Sequence, residues 1–264
     1  RFSCKPKITN NKLQTNSNGQ NSKLELIDPY HGMKDISAKL IRAVGDPKER
    51  FEEDYTRMLR GLRFACELEF TIEPTTLEAL KNVMPRINDK RANVQQPVLS
   101  PLAEFVAPRE VVSRELLRAF YANPVAAFEL YDASGAFEIL MPQLLKMKGC
   151  PQPEEFHNEG DVWTNTRMAL QALGSAEYKK VFGDPHPRPL PKGEGVVRGS
   201  PRPAGEGQGE GIDPHCNALL IMAILLHDVG KPPMLRTPEE HGVDRVRFDE
   251  HDTVGAEIAR EIAR

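Results

Sequence analysis

The sequence has little of several features that mark common protein classes. Its four cysteines are scattered and form no Cys-x-x-Cys pair, which argues against a zinc knuckle or a disulfide framework and favours a reducing, cytoplasmic location. Aromatic residues make up 6% of the chain and the formal net charge is −3, so any contact with RNA must be local. The longest apolar run, residues 218–226, is too short to span a membrane, and no signal peptide is recognisable.

The most informative stretch begins at Gly45 and reads GDPKERFEEDYTRMLRGLRFACELEF. Asp46 is a good helix N-cap, Pro47 suits the first helical position, and Glu49 completes an Asp-x-x-Glu capping box. Apolar residues then recur between charged ones. The pattern predicts one helix that continues to the neighbourhood of Phe70.

Three arginines recur at every third position of this predicted helix, and they follow an acidic pair: Glu53 and Asp54, then Arg57, Arg60 and Arg63. Because residues three and four apart are neighbours on a helix, we expect both acids to lie beside the first arginine. One interpretation is a solvated face of ion pairs, each worth about 0.3–0.5 kcal/mol. The other is a nucleotide site, since a carboxylate accepts from an exocyclic amino group and a guanidinium donates to base acceptors or grips phosphate.

The stretch resembles the GDPxxRFxEDxxRxLRxxRF signature of class II tRNA nucleotidyltransferases, the CCA-adding enzymes and bacterial poly(A) polymerases. The preceding IDPYHGMKDI, residues 27–36, is similar to the family's IDPFGGxxDL. In that family the helix selects CTP or ATP, and the reaction transfers CMP or AMP to the 3′ end of tRNA or another RNA with Mg²⁺. The resemblance implies that Asp54 and Arg57 face the incoming base, next to Glu53, and that Arg60 and Arg63 line the same nucleotide site.

The catalytic carboxylates of the family are not recognisable. Nucleotidyl transfer needs divalent metals held by carboxylates, and the family supplies them as an Asp-x-Asp pair after a glycine-rich phosphate loop. This sequence has no Asp-x-Asp and no such loop. We therefore assign no catalytic residue and predict that the chain alone does not catalyse the reaction. Because it begins at Arg1 and ends at Arg264 inside a charged helical pattern, we expect an N-terminally truncated family member.

A second motif follows the apolar run, in ALLIMAILLHDVGK at residues 218–231. A His-Asp pair such as His227 and Asp228 can ligate one divalent ion, whereas the plain alternative is a helix C-terminus with a polar tip and a glycine cap. The motif resembles the HD superfamily of metal-dependent phosphohydrolases, and residues 156–170 and 247–259 resemble its flanking segments. That family has a metal-binding histidine where this sequence has Asn165. We therefore expect a chiefly structural HD scaffold, with His227 and Asp228 as the candidate metal ligands and His157, His241 and His251 unassigned.

We predict a mainly α-helical fold, with only a remnant of an α/β catalytic head and at most a short strand near residues 24–27. Helices are expected at residues 75–83, 110–120, 124–134 and 137–146. The expected domains are residues 1–23, disordered or a head remnant; 24–70, the end of the head and the nucleotide-selecting helix; 71–148, a helical RNA-binding body; and 149–264, an incomplete HD domain with a flexible Pro/Gly-rich insert at 183–212.

Two other functions stay open at this point. One is an HD phosphohydrolase with His227 and Asp228 at a metal centre, and the other is a non-catalytic RNA-binding module. CCA, A-only and CC-only addition all stay open, and so does the oligomeric state. One local departure is Glu69, where the family usually has Gly, and we expect a strained left-handed helix cap there that costs about 1 kcal/mol.

Overall fold

The computed structural model describes residues 27–90, 105–153, 160–182 and 214–263. The predictions for residues 1–23 and for the insert at 183–212 lie outside this part of the chain, as does most of the strand expected near residues 24–27. In the described part, no helix is both long and apolar enough to cross a membrane.

Helices dominate the described residues, and the prediction of a mainly α-helical fold is confirmed. The helices in chain order are α1 Gly32–Ser37, α2 Pro47–Glu53, α3 Thr56–Leu68, α4 Pro74–Val83, α5 Arg109–Ala122, α6 Pro124–Ala133, α7 Ala136–Leu140, α8 Pro142–Leu145, α9 Val162–Ala172, α10 Ala176–Phe182, α11 Pro214–Leu226, α12 Pro238–His241 and α13 His251–Ile262. Short 3-10 helices span Met84–Asn88 and Pro232–Met234.

The single helix predicted from Asp46 to the neighbourhood of Phe70 is wrong, because the structure divides it into α2 and α3. The start is as expected: Asp46 caps α2 and its side chain accepts from the Glu49 N–H at 2.9 Å. The break falls at Asp54, whose backbone is extended and whose Oδ1 accepts from the Thr56 N–H at 3.0 Å. This local hydrogen bond competes with the helical ladder, as short acidic side chains commonly do.

A two-residue parallel pair joins β1, Leu40–Ile41, to β2, Thr71–Ile72. This pair was not predicted, since two residues are too few for an alternating pattern to show. α3 ends just before β2, and its cap residue Glu69 adopts the predicted left-handed conformation with φ 54° and ψ 44°. The pair therefore ties the segment after α3 to the segment that leads into α2.

The described chain divides into two compact units after Ala119. In the first unit, α2 packs against α4, and Phe51 of α2 is fully buried. The inner face of α3 is also buried, and its apolar members are Met58, Leu59, Leu62, Ala65 and Cys66. This packing leaves the first turn of α3 and the end of α2 at the surface, where the acidic pair lies.

The second unit is built around an aromatic cluster formed by Phe120, Phe128, Tyr131, Phe137 and Trp163. The ring centroids of Phe128 and Trp163 are 4.2 Å apart, which joins α6 to α9. α9 also packs against α11, the helix that ends before His227. The helix predicted at residues 137–146 is wrong in one respect: it is interrupted before Pro142, since proline disfavours helical geometry in the residue that precedes it.

Candidate functional site

The junction between α2 and α3 brings Glu53, Asp54 and Arg57 together. Arg57 Nη1 lies 2.6 Å from Glu53 Oε2 and donates to the carbonyl oxygen of Arg50 at 2.8 Å. Its Nε lies 3.8 Å from Asp54 Oδ2. Hydrogen bonds from Arg57 and then Arg50 hold the pKa of the Glu53 carboxyl below its usual value. The guanidinium of Arg57 is therefore fixed from one side, beside a second carboxylate.

The two oxygens of Asp54 have different surroundings. Oδ1 accepts from both the backbone N–H and the hydroxyl of Thr56, at 3.0 and 2.6 Å. Oδ2 has Arg57 near it at 3.8 Å, beyond hydrogen-bond length. The carboxylate is thus held in orientation by Thr56. Among the described residues no group donates a hydrogen bond to Oδ2, so this oxygen can accept from another molecule.

Arg60 lies one turn further along α3 and is half-buried. In the part of the chain that the structure describes, its guanidinium has no hydrogen-bond or ion-pair partner. An uncompensated arginine one turn from an Asp-Arg pair adds a positive charge to the same side of the helix.

The structure does not bring Arg63 to this group of residues. Arg63 is 5% exposed, and its Nε lies 2.5 Å from Glu115 Oε2 of α5. Its Nη1 lies 2.5 Å from Glu67 Oε2, and its guanidinium lies 4.1 Å from the centre of the Phe64 ring. Neither carboxylate was among the residues predicted from the sequence. The i,i+4 spacing could have identified Glu67, whereas nothing local identifies a residue 52 positions away.

The HD motif forms a second polar group, in the turn after α11. His227 Nε2 lies 3.0 Å from Asp228 Oδ2, and His227 Nδ1 lies 2.7 Å from the carbonyl oxygen of Ile224. Both ring nitrogens therefore face an acceptor, which favours the imidazolium. The hydrogen bond to Asp228 raises the pKa of His227, while burial opposes the rise.

Asp228 is surrounded by hydrogen-bond donors. Besides His227, Lys231 Nζ lies 2.8 Å from Asp228 Oδ2, and Asn165 Nδ2 donates to the same oxygen at 3.4 Å. Burial raises the pKa of Asp228, but hydrogen bonds from His227 and Lys231 outweigh it and bring the pKa to about 2. Lys231 also donates to Gln152 Oε1 at 2.8 Å. Neither Lys231 nor Gln152 was predicted from the sequence. The i,i+3 spacing in HDxGK could have suggested Lys231, whereas no local signal marks Gln152.

These contacts do not fit a bound divalent cation. No group of three or more His, Cys, Asp or Glu residues that could hold a metal occurs among the described residues. His241 Nδ1 accepts from the Thr237 N–H at 3.2 Å, and His251 Nδ1 lies 2.7 Å from the Phe248 carbonyl oxygen. His157 lies outside the described residues.

The glycine of the motif fixes its position against α13. A Cβ added to Gly230 would lie 2.0 Å from the His251 carbonyl oxygen and 2.5 Å from the Gly255 nitrogen. Backbone therefore touches backbone where the HD turn meets the first turns of α13. Only glycine allows this approach.

Comparison with known proteins gives two kinds of match. The HD domain family matches residues 207–264. Three relatives share the name Multifunctional CCA protein. The protein of Verminephrobacter eiseniae (strain EF01-2) is 35% identical over 147 residues, that of Paracidovorax citrulli (strain AAC00-1) is 33% identical over 148 residues, and that of Variovorax paradoxus (strain S110) is 34% identical over 147 residues.

Each of these matches covers 55% of this chain and 31% of the relative, so the matched part spans about a third of the length of the curated relatives. The matches bear out the resemblance that the sequence motifs show: part of the chain is similar to proteins named Multifunctional CCA protein, and its C-terminal part matches the HD domain family.

Proposed function

We propose that the chain is the nucleotide-selecting and RNA-binding part of a CCA-adding tRNA nucleotidyltransferase. In this reaction CMP or AMP is transferred from CTP or ATP to the 3′ end of tRNA. The names of the relatives support the reaction class. The observation that carries the proposal is the pairing of Asp54 with Arg57 at the α2–α3 junction. The RNA-binding role of residues 71–148 and the cytoplasmic location stay predictions from the sequence.

The chemistry of the junction suits the bases of CTP and ATP. Cytosine and adenine both carry an exocyclic amino group beside a ring nitrogen that accepts. Asp54 Oδ2 offers an acceptor to the amino group, and the neighbouring Arg57 offers donors to the ring nitrogen. Uracil and guanine present a carbonyl oxygen and a ring N–H at the corresponding edge, so the same pair disfavours them.

The surrounding residues make this pair rigid. Glu53 and the Arg50 carbonyl hold Arg57, and Thr56 holds Asp54. Arg60, which has no partner in the described part of the chain, supplies a further donor for base or phosphate. We expect Arg63 to act on the site through α3, since its guanidinium is occupied by Glu115 and Glu67.

We further propose that the 264-residue chain does not transfer nucleotides unaided. Its sequence has no Asp-x-Asp pair, and both carboxylates of the α2–α3 junction lie beside the Arg57 guanidinium, with one oxygen of Asp54 also bonded to Thr56. The residues present therefore do not fit the pair of Mg²⁺ ions that the reaction needs. An assay with tRNA, Mg²⁺ and labelled CTP or ATP should give no extended tRNA, and extended product would contradict this part of the proposal.

Nucleotide binding by the full chain tests the site itself. Isothermal titration with CTP and with ATP should give binding that weakens about tenfold or more in Arg57→Ala, the loss of a charge-assisted contact of roughly 1.5–3 kcal/mol. Glu52→Ala is the matched control, because Glu52 lies on α2 next to Glu53 and pairs with Arg86 at 3.1 Å instead. Equal affinities of the two variants would overturn the assignment.

A further inference from the structure

The HD pocket, defined by Gln152, Asn165, His227, Asp228 and Lys231, holds a buried carboxylate that must be neutralised. Asp228 is 4% exposed and Lys231 is 8% exposed. A buried charge without a partner is strongly destabilising, so an opposite charge is needed close to it. In HD phosphohydrolases that charge is a divalent cation, as the resemblance of the motif implies.

Here an ammonium group lies in contact with the carboxylate. Lys231 Nζ is 2.8 Å from Asp228 Oδ2, the same oxygen that His227 Nε2 approaches at 3.0 Å. The ammonium is itself fixed, since it donates to Gln152 Oε1 at 2.8 Å and lies 5.4 Å from the centre of the Phe248 ring. Lys231 is thus held in place as the positive charge that neutralises Asp228.

Asn165, at the position where the HD family has a metal-binding histidine, adds to the contacts of Asp228. Asn165 directs its amide nitrogen at Asp228 Oδ2, 3.4 Å away. An amide N–H has no lone pair for a cation, whereas an imidazole nitrogen at that position would have one. The side chain that would supply a third ligand therefore supplies another donor to the carboxylate.

We infer that the HD pocket of this chain is a metal-free scaffold in which Lys231, aided by Asn165, takes the place of a divalent cation as the partner of Asp228. The pocket then connects α9, the turn after α11 and the loop that carries Gln152, and it performs no hydrolysis. This inference is independent of the nucleotide site on α3, and its tests have separate readouts.

Metal titration of the full chain is the first test. After treatment with EDTA and dialysis, wild type should take up no stoichiometric Mn²⁺ or Ni²⁺ in isothermal titration and should keep its Tm. Asn165→His should gain binding of one ion and a rise in Tm, because it restores a third ligand beside His227 and Asp228. Asn165→Leu, of similar size and without a ligand atom, is the matched control.

Two results of that titration would overturn the inference. The first is one equivalent of metal in wild type that is lost in Asp228→Asn. This result would also reveal a metal site whose further ligand, such as His157, lies outside the described residues. The second is an Asn165→His chain as indifferent to both ions as wild type.

The stability of a lysine variant is the second test. In metal-free buffer Lys231→Met should lower the Tm by roughly 6–20 °C, because it leaves Asp228 buried beside one partner fewer. Lys148→Met is the control, since Lys148 pairs with Asp132 at the surface, and its loss should be under about 4 °C. A Lys231→Met chain that fails to fold beside a folded Lys148→Met chain supports the inference. Equal Tm values for the two variants would overturn it.

Discussion

The ion pair between Arg63 and Glu115 gives the sharpest test of how α3 is held in place. Both residues are 5% exposed, and Arg63 Nε lies 2.5 Å from Glu115 Oε2. Glu67 accepts from the other side of the guanidinium. Replacing Arg63 with Met removes the cation and leaves Glu115 buried without its partner.

The expected magnitudes differ among three variants. Arg63→Met should cost about 3–5 kcal/mol, the usual loss when one member of a buried pair is removed. Glu115→Gln should cost about 1–3 kcal/mol, since Glu67 still pairs with Arg63 and the amide oxygen can still accept from Nε. The double variant Arg63→Met/Glu115→Met should lie within about 1 kcal/mol of wild type, because apolar residues of similar volume often replace a buried pair at little cost.

Urea unfolding followed by circular dichroism at 222 nm measures these differences. Fluorescence is less suitable, because the single tryptophan, Trp163, lies in the other compact unit. The reasoning is refuted by a loss under about 0.5 kcal/mol in Arg63→Met, or by a double variant as unstable as the sum of its single changes. The stable double variant also has a functional use. It should bind CTP within about threefold of wild type if Arg63 acts only through packing, and a larger loss would assign Arg63 to the nucleotide site.

Three local features give further predictions. Glu69→Gly should stabilise the chain by about 1 kcal/mol in the same assay, since Glu69 has φ 54°. Glu69→Ala is the control: a free energy of unfolding equal to that of wild type would show that the gain with Gly comes from the left-handed backbone. Gly230→Ala should destabilise the chain by about 1–3 kcal/mol or more, because its Cβ would lie 2.0 Å from the His251 carbonyl oxygen. Gly174→Ala is the near-neutral control, since the nearest atom to its Cβ would be 3.5 Å away. Equal losses of stability in the two variants would contradict the close packing at Gly230. Asp161 caps α9. Burial raises the pKa of its carboxyl, but hydrogen bonds from Thr164 and Gly149 bring the pKa below its usual value. The stabilisation is therefore present above the unfolded pKa near 3.9 and is lost as the pH falls through the folded pKa. Asp161→Ala should cost about 1 kcal/mol at pH 7, with a difference in Tm from wild type that shrinks below about pH 4; a difference that does not change with pH would contradict the assignment.

Local chemistry made several parts of the fold predictable. The helix start at Asp46–Pro47 follows from capping and from the fixed φ of proline, and these residues occur as N-cap and first helical residue. The helix predicted over residues 124–134 likewise begins at Pro124. The left-handed cap at Glu69 followed from the family resemblance, since the family usually has Gly at that position. These features depend on residues within one or two turns of each other.

Other features depend on distant residues or on competition between local structures, and the sequence did not reveal them. Glu115 lies 52 positions from Arg63, and Gln152 lies 79 positions from Lys231. The break at Asp54 arises because a hydrogen bond from Asp54 to Thr56 competes with a continuous helix. Helix propensity alone does not show which of the two structures forms. The break matters for the site, since it is what holds Asp54 Oδ1 and leaves Oδ2 available.

The most direct test of the central claim is the ratio of CTP affinity to UTP affinity in Asp54→Asn. The amide oxygen can still accept from the Thr56 N–H, so the fold of the junction is kept, while the group beside Arg57 changes from an acceptor to a donor. The account predicts that the CTP:UTP affinity ratio of the full chain falls by roughly 5- to 150-fold, equivalent to about 1–3 kcal/mol of base discrimination. A ratio equal to that of wild type would contradict the claim that Asp54 and Arg57 read the base.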